Sequence, residues 1–507
     1  MNLSSQSSSV RIEEEKKQQQ QGVVLDAVVI GSGPGGYVCA IRLGQLGKSV
    51  ALVEREKVGG VCLNIGCIPS KAIIAAGKIV KNARSAGKMG IDAQVRVDLP
   101  RVQQWKQSVV DKLTGGVSLL LKSYGVKIVH GEATIETADT VAVKTASDSS
   151  VTRLKCRNVV VATGSYSTEL PNLKFDGKYI FTSTEALSLQ VPPKRMLIVG
   201  GGVIGLEIGM AFANLLGTEL VIVELLEQLL PGVDLDLVNV VARNLQKMGA
   251  QIHLRSKVKS ATVQQDEGEK QQGRVRVLFE TPDGQEHSEI VDCVLVSVGR
   301  KPNSKGIGLE RLGVELDQRG FIKVNRQMAT STPNVYAIGD VVGGPLLAHK
   351  ASKEGIVAAE VISGMKSSFD NVAIPSAIFT DPEIAITGRS PAELKSAGIE
   401  ASVGRFPFSA NGRALATPDP EGFVKVVADK ESGLVLGFEV VGGDASDLIS
   451  EGTLALEMGA TLEDVALTIH PHPTLPEAIM EAAENALGRA IHIQNRRQEG
   501  KASVQTI

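Results

Sequence analysis

The chain has 507 residues, of which 43% are hydrophobic and 22% are charged, and its formal net charge is −2. This composition is typical of a globular protein, and the length predicts several domains of roughly 150 residues each. The near-neutral charge excludes a general attraction to nucleic acid or to an anionic membrane surface. Because the N-terminus lacks a secretory-signal pattern and no apolar run predicts a membrane span, we expect a cytoplasmic protein.

Residues 1–22 are polar and low in complexity, and we expect them to be disordered, whereas residues 494–507 are expected to form a polar tail. Folded sequence begins at Val23. The apolar run 23–30 predicts a buried strand, which is followed by a glycine-rich turn, a helical stretch and a second strand at 49–54. Residues 195–224 repeat this order, which indicates an internal duplication of one dinucleotide-binding unit.

The pattern predicts an α/β protein with two Rossmann-like dinucleotide-binding domains and a C-terminal α+β domain. Further buried strands are expected at 157–163 and 293–298, and from Ile374 onward the sequence becomes rich in strands. We place the first dinucleotide-binding domain at 23–170 and 298–370, the second at 171–297, and the C-terminal domain at 371–493.

The first nucleotide fingerprint is Gly31-x-Gly33-x-x-Gly36, directly after a predicted strand and at the start of a helix. The first glycine allows the tight turn, the second lets a pyrophosphate approach the backbone, and the third lets helix and strand pack closely. Glu54 ends the following strand, where an acidic residue binds ribose hydroxyls.

The second fingerprint consists of Gly200, Gly202 and Gly205, and Glu224 ends its following strand. A glycine turn that binds nothing is the alternative for a single copy, but two complete copies in one chain indicate two dinucleotide sites. Glu224 would repel a 2′-phosphate, and no lysine or arginine lies between Arg195 and Arg243. These features favour NAD over NADP.

Cys62 and Cys67 lie in a segment that also contains Gly66, Pro69 and Lys71. An extended chain would hold the two Cα atoms roughly 16 Å apart, whereas a disulfide requires about 7 Å or less. The segment must therefore fold back, and Gly66 supplies the freedom to do so. Pro69 predicts the start of a helix, whose dipole, together with Lys71, would favour a Cys67 thiolate. A zinc half-site would need further ligands and buried inert thiols fit the glycine and proline poorly, so we favour a redox-active disulfide and predict no metal.

His470 and His472 lie between prolines near the C-terminus, and Glu477 follows. A histidine supported by a glutamate is a suitable general base near neutral pH. A capped turn with solvated histidines explains the segment equally well.

Several segments resemble those of the pyridine nucleotide-disulfide oxidoreductases, and of dihydrolipoyl dehydrogenases in particular. GGVCLNIGCIPSKA resembles the redox-disulfide motif and HPHPTLPEAIMEAAE the base motif, while VATGS, GGGVIGLE, VSVGRKPN and AIGDVVGGPLLAHKASKEG resemble other family segments in order. The resemblance covers roughly residues 23–493. One departure is Pro476, which stands where small residues are commoner.

The resemblance implies an enzyme that oxidises protein-bound dihydrolipoamide with FAD and NAD. It would be a homodimer attached to the lipoyl-bearing acyltransferase core of a 2-oxoacid dehydrogenase complex. Cys62 would exchange with the substrate and Cys67 would stack on the flavin. His472, oriented by Glu477, would act in the active site of the other subunit, which makes the 371–493 domain a dimerisation domain.

The resemblance also implies the cofactor contacts, with Lys71 paired to Glu207 near the flavin. The FAD contacts would be Gly31, Gly33, Gly36, Glu54, Lys71, Gly131, Thr163, Gly164, Ser165, Arg300, Asp340, Leu346, Leu347, Ala348 and His349. The NAD contacts would be Gly200, Gly202, Gly205, Glu207, Glu224, Val258 and Gly299.

Glutathione, trypanothione and mercuric reductases are the alternatives within this fold. NADP-dependent members would need basic residues after Glu224, and mercuric reductases carry a C-terminal cysteine pair that this sequence lacks. In a different class, the chain could act mainly as a binding subunit, but two cofactor sites and a redox pair would then be unexplained.

Overall fold

The computed structural model describes residues 24–145, 150–264 and 273–495. The predicted tail at 1–22 lies outside the described residues, as does the predicted tail at 494–507 from residue 496 onward. The helices of the described residues, in chain order, are α1 Pro34–Gln45, α2 Gly60–Ile65, α3 Cys67–Ser85, α4 Leu99–Ser123, α5 Ser183–Ala186, α6 Val203–Leu216, α7 Leu235–Lys247, α8 Leu309–Leu312, α9 Ala348–Ile362, α10 Pro391–Ser396, α11 Gly412–Leu415, α12 Ala445–Glu457, α13 Leu462–Leu467 and α14 Glu477–Ala486. The strands are β1 Leu25–Ile30, β2 Val50–Glu54, β3 Lys127–His130, β4 Glu132–Thr137, β5 Thr140–Lys144, β6 Val151–Val161, β7 Ser165–Ser167, β8 Ile180–Phe181, β9 Arg195–Val199, β10 Glu219–Val223, β11 Gln251–His253, β12 Lys257–Gln264, β13 Arg274–Glu280, β14 Glu286–Val291, β15 Cys293–Val296, β16 Arg300–Pro302, β17 Val335–Ala337, β18 Ser376–Ile378, β19 Glu383–Gly388, β20 Ala401–Pro407, β21 Phe423–Asp429 and β22 Val435–Gly442.

The first large sheet has the strand order β3-β2-β1-β6-β5-β4, and β17 also pairs with β6. Strand β1 is parallel to both β2 and β6, with Ala27 opposite Val50 in the register with β2. Successive side chains of a strand point to opposite faces, so Val28 and Ile30 enter one hydrophobic core while Ala27 and Val29 enter another. Burial on both faces explains why this strand is an unbroken apolar run.

The second parallel sheet repeats this construction, with the order β11-β10-β9-β15-β8. In β9, Met196 and Ile198 point to one core and Leu197 and Val199 to another. The order β1-α1-β2 therefore matches β9-α6-β10, as the predicted duplication requires. The expected strand at 157–163 is longer than predicted, because β6 continues toward its N-terminus as an antiparallel partner of β5.

The C-terminal region contains an antiparallel sheet of order β18-β19-β22-β21-β20. The apolar residues of β21 and β22 pack into one core with helices α12 and α14, through side chains such as Val424, Phe438 and Ile449. This arrangement, with the two parallel sheets, confirms the predicted α/β fold with a C-terminal α+β region.

The described chain divides into two compact units. One contains residues up to Ile68, Ser108–Tyr166 and Arg300–Asp370, and the other contains Pro69–Gln107, Ser167–Gly299 and the residues from Asn371 onward. Residues 69–107, which we assigned to the first dinucleotide-binding domain, thus group with the second unit. The reason is that α3 packs Ile73 and Val80 into the core around β9 and α6. The finer division into domains stays a prediction.

One helical stretch, Gly60–Met89, is long and apolar enough by composition to cross a membrane, contrary to our expectation that no run would pass this test. The stretch is interrupted at Gly66, between α2 and α3. Its Lys71 and Lys81 side chains form ion pairs with carboxylates of the same unit. Packed helices of folded domains satisfy the same criterion, and α3 contributes Ile73 and Val80 to a hydrophobic core.

A buried ion cluster connects the start of α7 to the C-terminal sheet. The Nζ atom of Lys425 lies 3.0 Å from Asp234, 2.9 Å from Asp236 and 2.6 Å from Glu439. Lys425 and Glu439 are almost completely buried, and burial raises the pKa of Glu439 to about 7, although Lys425 acts in the opposite direction. The cluster therefore holds three carboxylates on a single cation.

We expect the substitution Glu439→Gln to reduce the pH dependence of stability. Because the pKa of Glu439 is higher in the folded chain than its usual value of about 4.5, the folded state retains at intermediate pH a proton that the unfolded chain has lost. This contribution is complete below the unfolded pKa and is lost as the pH rises to about 7, by about 3 kcal/mol. Melting temperatures measured between pH 4.5 and 8 should fall more steeply for the wild type than for the variant.

The exposed Glu431 provides a matched control, since Glu431→Gln removes a carboxylate from the turn between β21 and β22. Its melting curve should follow that of the wild type. Parallel curves for Glu439→Gln and the wild type would contradict the predicted proton uptake.

Candidate active site

The first glycine-rich turn joins β1 to α1 and shows the geometry that the fingerprint predicts. Gly31 has φ +99°, and a Cβ atom there would lie 2.4 Å from the Ala162 carbonyl oxygen. A Cβ on Gly36 would lie 1.9 Å from the Gly31 oxygen, so helix and turn are in backbone contact. At Gly33, by contrast, a Cβ would meet no atom of the described residues within 4 Å. The turn is therefore closed at its first and third glycines and open at the second, in front of a helix N-terminus that suits a pyrophosphate.

The second turn, between β9 and α6, has the same geometry. Gly200 also has φ +99°, and a Cβ on Gly205 would lie 2.5 Å from the Ser297 hydroxyl oxygen. A Cβ on Gly202 would again meet no described atom within 4 Å. Within the described residues, no side chain caps the N-terminus of α1 or α6, so the first backbone N–H groups of each helix are available to an anion. Both turns fit a dinucleotide.

Each turn is held by the acidic residue at the end of the next strand. The Glu54 carboxylate accepts hydrogen bonds from Ser32 N at 2.9 Å and from Glu56 N at 2.8 Å. The Glu224 carboxylate accepts them in the same pattern, from Gly201 N at 2.6 Å and Leu226 N at 2.7 Å. Both acids are buried. They therefore shape the turns in addition to the ribose contacts that we predict.

The two cysteines lie at the junction of two helices. Cys62 is in α2 and Cys67 is the first residue of α3. The helix thus begins before Pro69, where we expected it to start, and this places Cys67 within its first turn. Gly66, the residue between the helices, has φ −136° and ψ −111°, and a Cβ there would lie 2.9 Å from the Val61 oxygen. The helical conformation is therefore interrupted at this glycine, which is the position where we expected the segment to fold back.

The other three cysteines of the chain are buried. Burial raises the pKa of Cys39 to about 12, of Cys156 to about 11 and of Cys293 to about 12. These thiols stay protonated at neutral pH, and only the thiolate is a nucleophile. Redox chemistry is therefore expected at Cys62 and Cys67.

The predicted pair of Lys71 and Glu207 is present. The Lys71 ammonium lies 2.8 Å from Glu207 Oε2 and 4.4 Å from the centre of the Phe379 ring. Glu207 is buried, and its second carboxylate oxygen accepts a hydrogen bond from Phe379 N at 2.8 Å. Lys71 is one helical turn from Cys67 on α3, so the Lys71–Glu207 pair fixes the position of a cation near the N-terminus of that helix. Phe379 was not predicted from the sequence.

Ser165, Arg300 and Asp340 form a second polar cluster. Arg300 donates two hydrogen bonds of 2.7 Å to Ser165, from Nε to the hydroxyl oxygen and from Nη2 to the carbonyl oxygen. The Ser165 hydroxyl in turn donates to the Asp340 carboxylate at 2.5 Å. Burial lowers the pKa of Arg300, while Asp340 and the Cys67 sulfur act in the opposite direction. The electrostatic coupling brings Arg300 into the surroundings of the redox pair.

The remaining predicted FAD contacts lie in the same unit as this cluster. Gly131 has φ +156° and donates its N–H to the Glu54 carbonyl oxygen at 2.9 Å. Thr163 donates its hydroxyl hydrogen to the Asn303 carbonyl oxygen at 2.7 Å, and Gly164 has φ +71°. The last four predicted contacts, Leu346, Leu347, Ala348 and His349, lie at the N-terminal end of α9.

A buried ion pair that we did not predict supports the turn carrying Asp340. Lys350 and Glu354 are 2.6 Å apart, and both side chains are nearly inaccessible. Lys350 donates to the Gly343 carbonyl oxygen at 2.9 Å, and Glu354 accepts from Gly339 N at 2.7 Å. The pair is therefore hydrogen-bonded to both ends of the turn 339–343. The (i, i+4) spacing of lysine and glutamate directly after GDVVGG was the available signal.

The other predicted NAD contacts lie in the unit that carries the second turn. Val258 on β12 is buried. Gly299 has φ +111°, and its carbonyl oxygen accepts a hydrogen bond from Thr168 N at 3.0 Å.

The two C-terminal histidines have different surroundings. His472 Nδ1 lies 2.8 Å from Glu477 Oε1, and 78% of the His472 side chain is exposed. Glu477 also accepts from Thr474 N at 2.7 Å. Burial acts to raise the pKa of Glu477, but these two hydrogen bonds lower it overall. Pro476, the departure noted above, lies directly before α14, and the pair of His472 and Glu477 is formed in its presence.

His470, in contrast, is a structural residue. Its Nε2 lies 2.8 Å from the Glu451 carboxylate and its Nδ1 lies 2.8 Å from the Thr468 carbonyl oxygen. The hydrogen bond to Glu451 raises the pKa of His470. Since both ring nitrogens face acceptors, the ring is held as a double donor and is unsuited to act as a base.

Comparison with known proteins identifies the family. Residues 25–355 match the pyridine nucleotide-disulphide oxidoreductase family, and residues 374–483 match its dimerisation domain. A dihydrolipoyl dehydrogenase from Bacillus subtilis is 47% identical over 470 residues, which cover 92% of this chain and 97% of that protein. One from Haloferax volcanii is 46% identical over 473 residues, covering 93% and 98%.

Solved structures of two relatives have the same fold. LpdA from Mycobacterium tuberculosis has a TM-score of 0.81 at 26% identity, covering 91% of this chain and 99% of that one. The HOCl-induced flavoprotein disulfide reductase RclA from Escherichia coli has a TM-score of 0.79 at 25% identity, covering 90% and 99%.

These matches confirm the predicted oxidoreductase class and the predicted cofactors, FAD and NAD. The dimerisation domain supports a homodimer. On these grounds the chain belongs to the pyridine nucleotide-disulphide oxidoreductase family.

Proposed function

We propose that this protein is a dihydrolipoyl dehydrogenase, which oxidises protein-bound dihydrolipoamide to lipoamide and reduces NAD⁺ to NADH. The observation that carries the proposal is the pair of Cys62 in α2 and Cys67 at the start of α3, followed one turn later by Lys71 bonded to Glu207. The chain also shares 47% identity with a dihydrolipoyl dehydrogenase across 97% of that protein. Its physiological partner would be the lipoyl-bearing acyltransferase core of a 2-oxoacid dehydrogenase complex, and its location would be cytoplasmic.

The residues assigned to FAD are those of the first turn and its surroundings, and those assigned to NAD belong to the second turn. Gly33 and Gly202 would admit the two pyrophosphates, since these are the open positions of the turns. Lys71 and Arg300 would supply positive charge close to the redox pair. When bound, FAD carries the two electrons of the substrate dithiol to NAD⁺, which accepts them as a hydride.

The thiol chemistry begins with the removal of a proton. Because the Glu477 carboxylate can only accept, His472 Nδ1 carries a hydrogen and Nε2 has the lone pair that accepts a proton from a substrate thiol. The substrate thiolate then attacks Cys62 in the oxidised Cys62–Cys67 disulfide, which breaks that bond and releases Cys67 as a thiolate. The second substrate thiol displaces Cys62, and the substrate leaves as its cyclic disulfide.

The position of His472 supports a site shared between two subunits. In one protomer, most of this side chain is exposed although Glu477 holds it in a fixed orientation. An oriented but uncovered base suits a role in the active site of the other subunit of a homodimer.

The decisive experiment measures NAD⁺ reduction driven by dihydrolipoamide. We expect activity in the purified FAD-loaded protein and a loss on the order of 1000-fold in the variant Cys62→Ser, because a hydroxyl cannot form the mixed disulfide. The variant Cys156→Ala, which changes a buried cysteine, should retain activity. Comparable turnover by Cys62→Ser and the wild type would refute the assigned thiol chemistry.

A second prediction separates the two histidines. His472→Gln should lower kcat by about 100-fold or more, the usual contribution of a general base. His470→Gln removes a buried hydrogen-bonded ring and should lower the melting temperature while kcat, measured well below that temperature, stays close to the wild-type value. Equal losses of kcat in the two variants would contradict the assignment of His472 as the base.

A third prediction concerns the nicotinamide cofactor. Glu224 directly follows β10, and the sequence between Arg195 and Arg243 contains no lysine or arginine that would bind a 2′-phosphate. Repulsion by this carboxylate should make kcat/KM for NADP⁺ lower than for NAD⁺ by about 100-fold or more. Similar values for the two cofactors in steady-state assays would exclude this discrimination.

A further inference from the structure

The loop between β18 and β19, residues 379–382, is held at both of its ends by helices α3 and α6. At its first residue, Phe379 N donates to Glu207 of α6, and Lys71 of α3 lies over the Phe379 ring. These are the contacts that complete the Lys71–Glu207 pair. The orientation of the pair therefore depends on where this loop lies.

Asp381 anchors the other end of the same loop. Its Oδ1 accepts a hydrogen bond from Lys81 Nζ at 2.6 Å and its Oδ2 accepts one from Asn214 Nδ2 at 2.8 Å. Asn244 of α7 also donates to the Asp381 carbonyl oxygen, at 2.5 Å. Both carboxylate oxygens and the main chain of this residue are thus engaged, by three different helices.

The donors come from the helices that carry the Lys71–Glu207 pair. Lys71 and Lys81 both belong to α3, while Glu207 and Asn214 both belong to α6 and lie two turns apart on one face. The spacing of Asp381 and Phe379 along the loop is only two residues. A displacement of Asp381 would consequently move the Phe379 N–H relative to Glu207.

We propose that Asp381 is a positioning residue for the Lys71–Glu207 pair, acting through the 379–382 loop. This inference rests on the proposed function, because it assigns the pair an influence on the Cys67 thiolate one helical turn away. If the loop shifts, Glu207 loses a donor that partly neutralises it and Lys71 loses its contact with the ring. The first change leaves the Glu207 carboxylate less neutralised, and the second allows the Lys71 ammonium to move away from the N-terminus of α3. Both make the electrostatic potential at Cys67 less positive, which disfavours the thiolate.

The simplest alternative is that Asp381 forms an ion pair that only stabilises the fold. A matched control is available, because Lys81 also contacts Asp419, at 2.8 Å, and Asp419 is outside the loop. Asp419→Asn removes a carboxylate from the same cation and leaves the loop anchored. Asp381, Lys81 and Asn214 line a cavity of about 220 Å³, so a side chain that replaces Asp381 has room to adjust without a clash.

The test uses the dithiol-reduced, FAD-loaded enzyme with the variants Asp381→Asn and Asp419→Asn. Asp381→Asn removes the negative charge that pairs with Lys81 and leaves a single acceptor oxygen, so the hydrogen bonds from Lys81 and Asn214 cannot both be kept as they are. The long-wavelength absorbance of the reduced enzyme would report the Cys67 thiolate stacked on the flavin. We expect the pH midpoint of this absorbance to rise by about half a unit or more in this variant. The pH midpoint for alkylation of Cys67 by iodoacetamide, located by mass spectrometry, should move in the same direction. Asp419→Asn should leave both midpoints in place.

The variant Asn214→Ala removes the other donor to Asp381 and provides a second route to the same shift if Asp381→Asn folds poorly. Unchanged midpoints in folded Asp381→Asn or Asn214→Ala protein, alongside an active wild type, would overturn the positioning role and leave the proposed function intact. An equal shift in Asp419→Asn would also overturn it, because the effect would then come from Lys81 alone. A wild type without dihydrolipoamide activity or a long-wavelength band would instead refute the proposed function, and this inference with it.

Discussion

The close approach of backbone to backbone at the two glycine turns is the constraint on which the rest of the molecule depends. A Cβ on Gly36 would stand 1.9 Å from the Gly31 oxygen, a distance that no side chain can tolerate. Because the approach is so close, each helix begins directly at the end of its strand, and its N–H groups face the open glycine. Two anion sites therefore follow from the absence of a side chain at a few positions.

Charged side chains then fix the parts of the chain that the sheets leave undetermined. Lys350 with Glu354 secures the turn that carries Asp340, and Lys71 with Glu207 sets a cation near the head of α3. A buried charge is costly unless it is paired and hydrogen-bonded, so each of these pairs allows little freedom of position. The ion pairs therefore determine the positions of functional groups that the local secondary structure does not determine.

Local motifs could be interpreted in advance because their function is local. The glycine spacing, the acid at the end of the following strand and the cysteine pair each work within a short segment, and the structure shows the turns as predicted. The start of α3 was placed too late because the helix includes Cys67. Strand β6 was placed too short because its N-terminal half, which pairs with the preceding strand β5, is largely exposed and lacks the unbroken apolar run of its C-terminal end. The boundaries of an element are the part of a sequence-based prediction that the local pattern determines least.

The sequence by itself determined the two dinucleotide folds, the redox pair and the candidate base, since glycines, cysteines and histidines express their chemistry through spacing. Only the tertiary structure decided which charges meet. The hydrogen bond from Phe379 to Glu207 and the three helices that contact Asp381 bring together residues that are remote in sequence. His470 and His472 have the same local sequence pattern, and only their tertiary surroundings distinguish them. Such contacts depend on how strands and helices pack, because hydrogen bonds and ion pairs act only over a few ångströms.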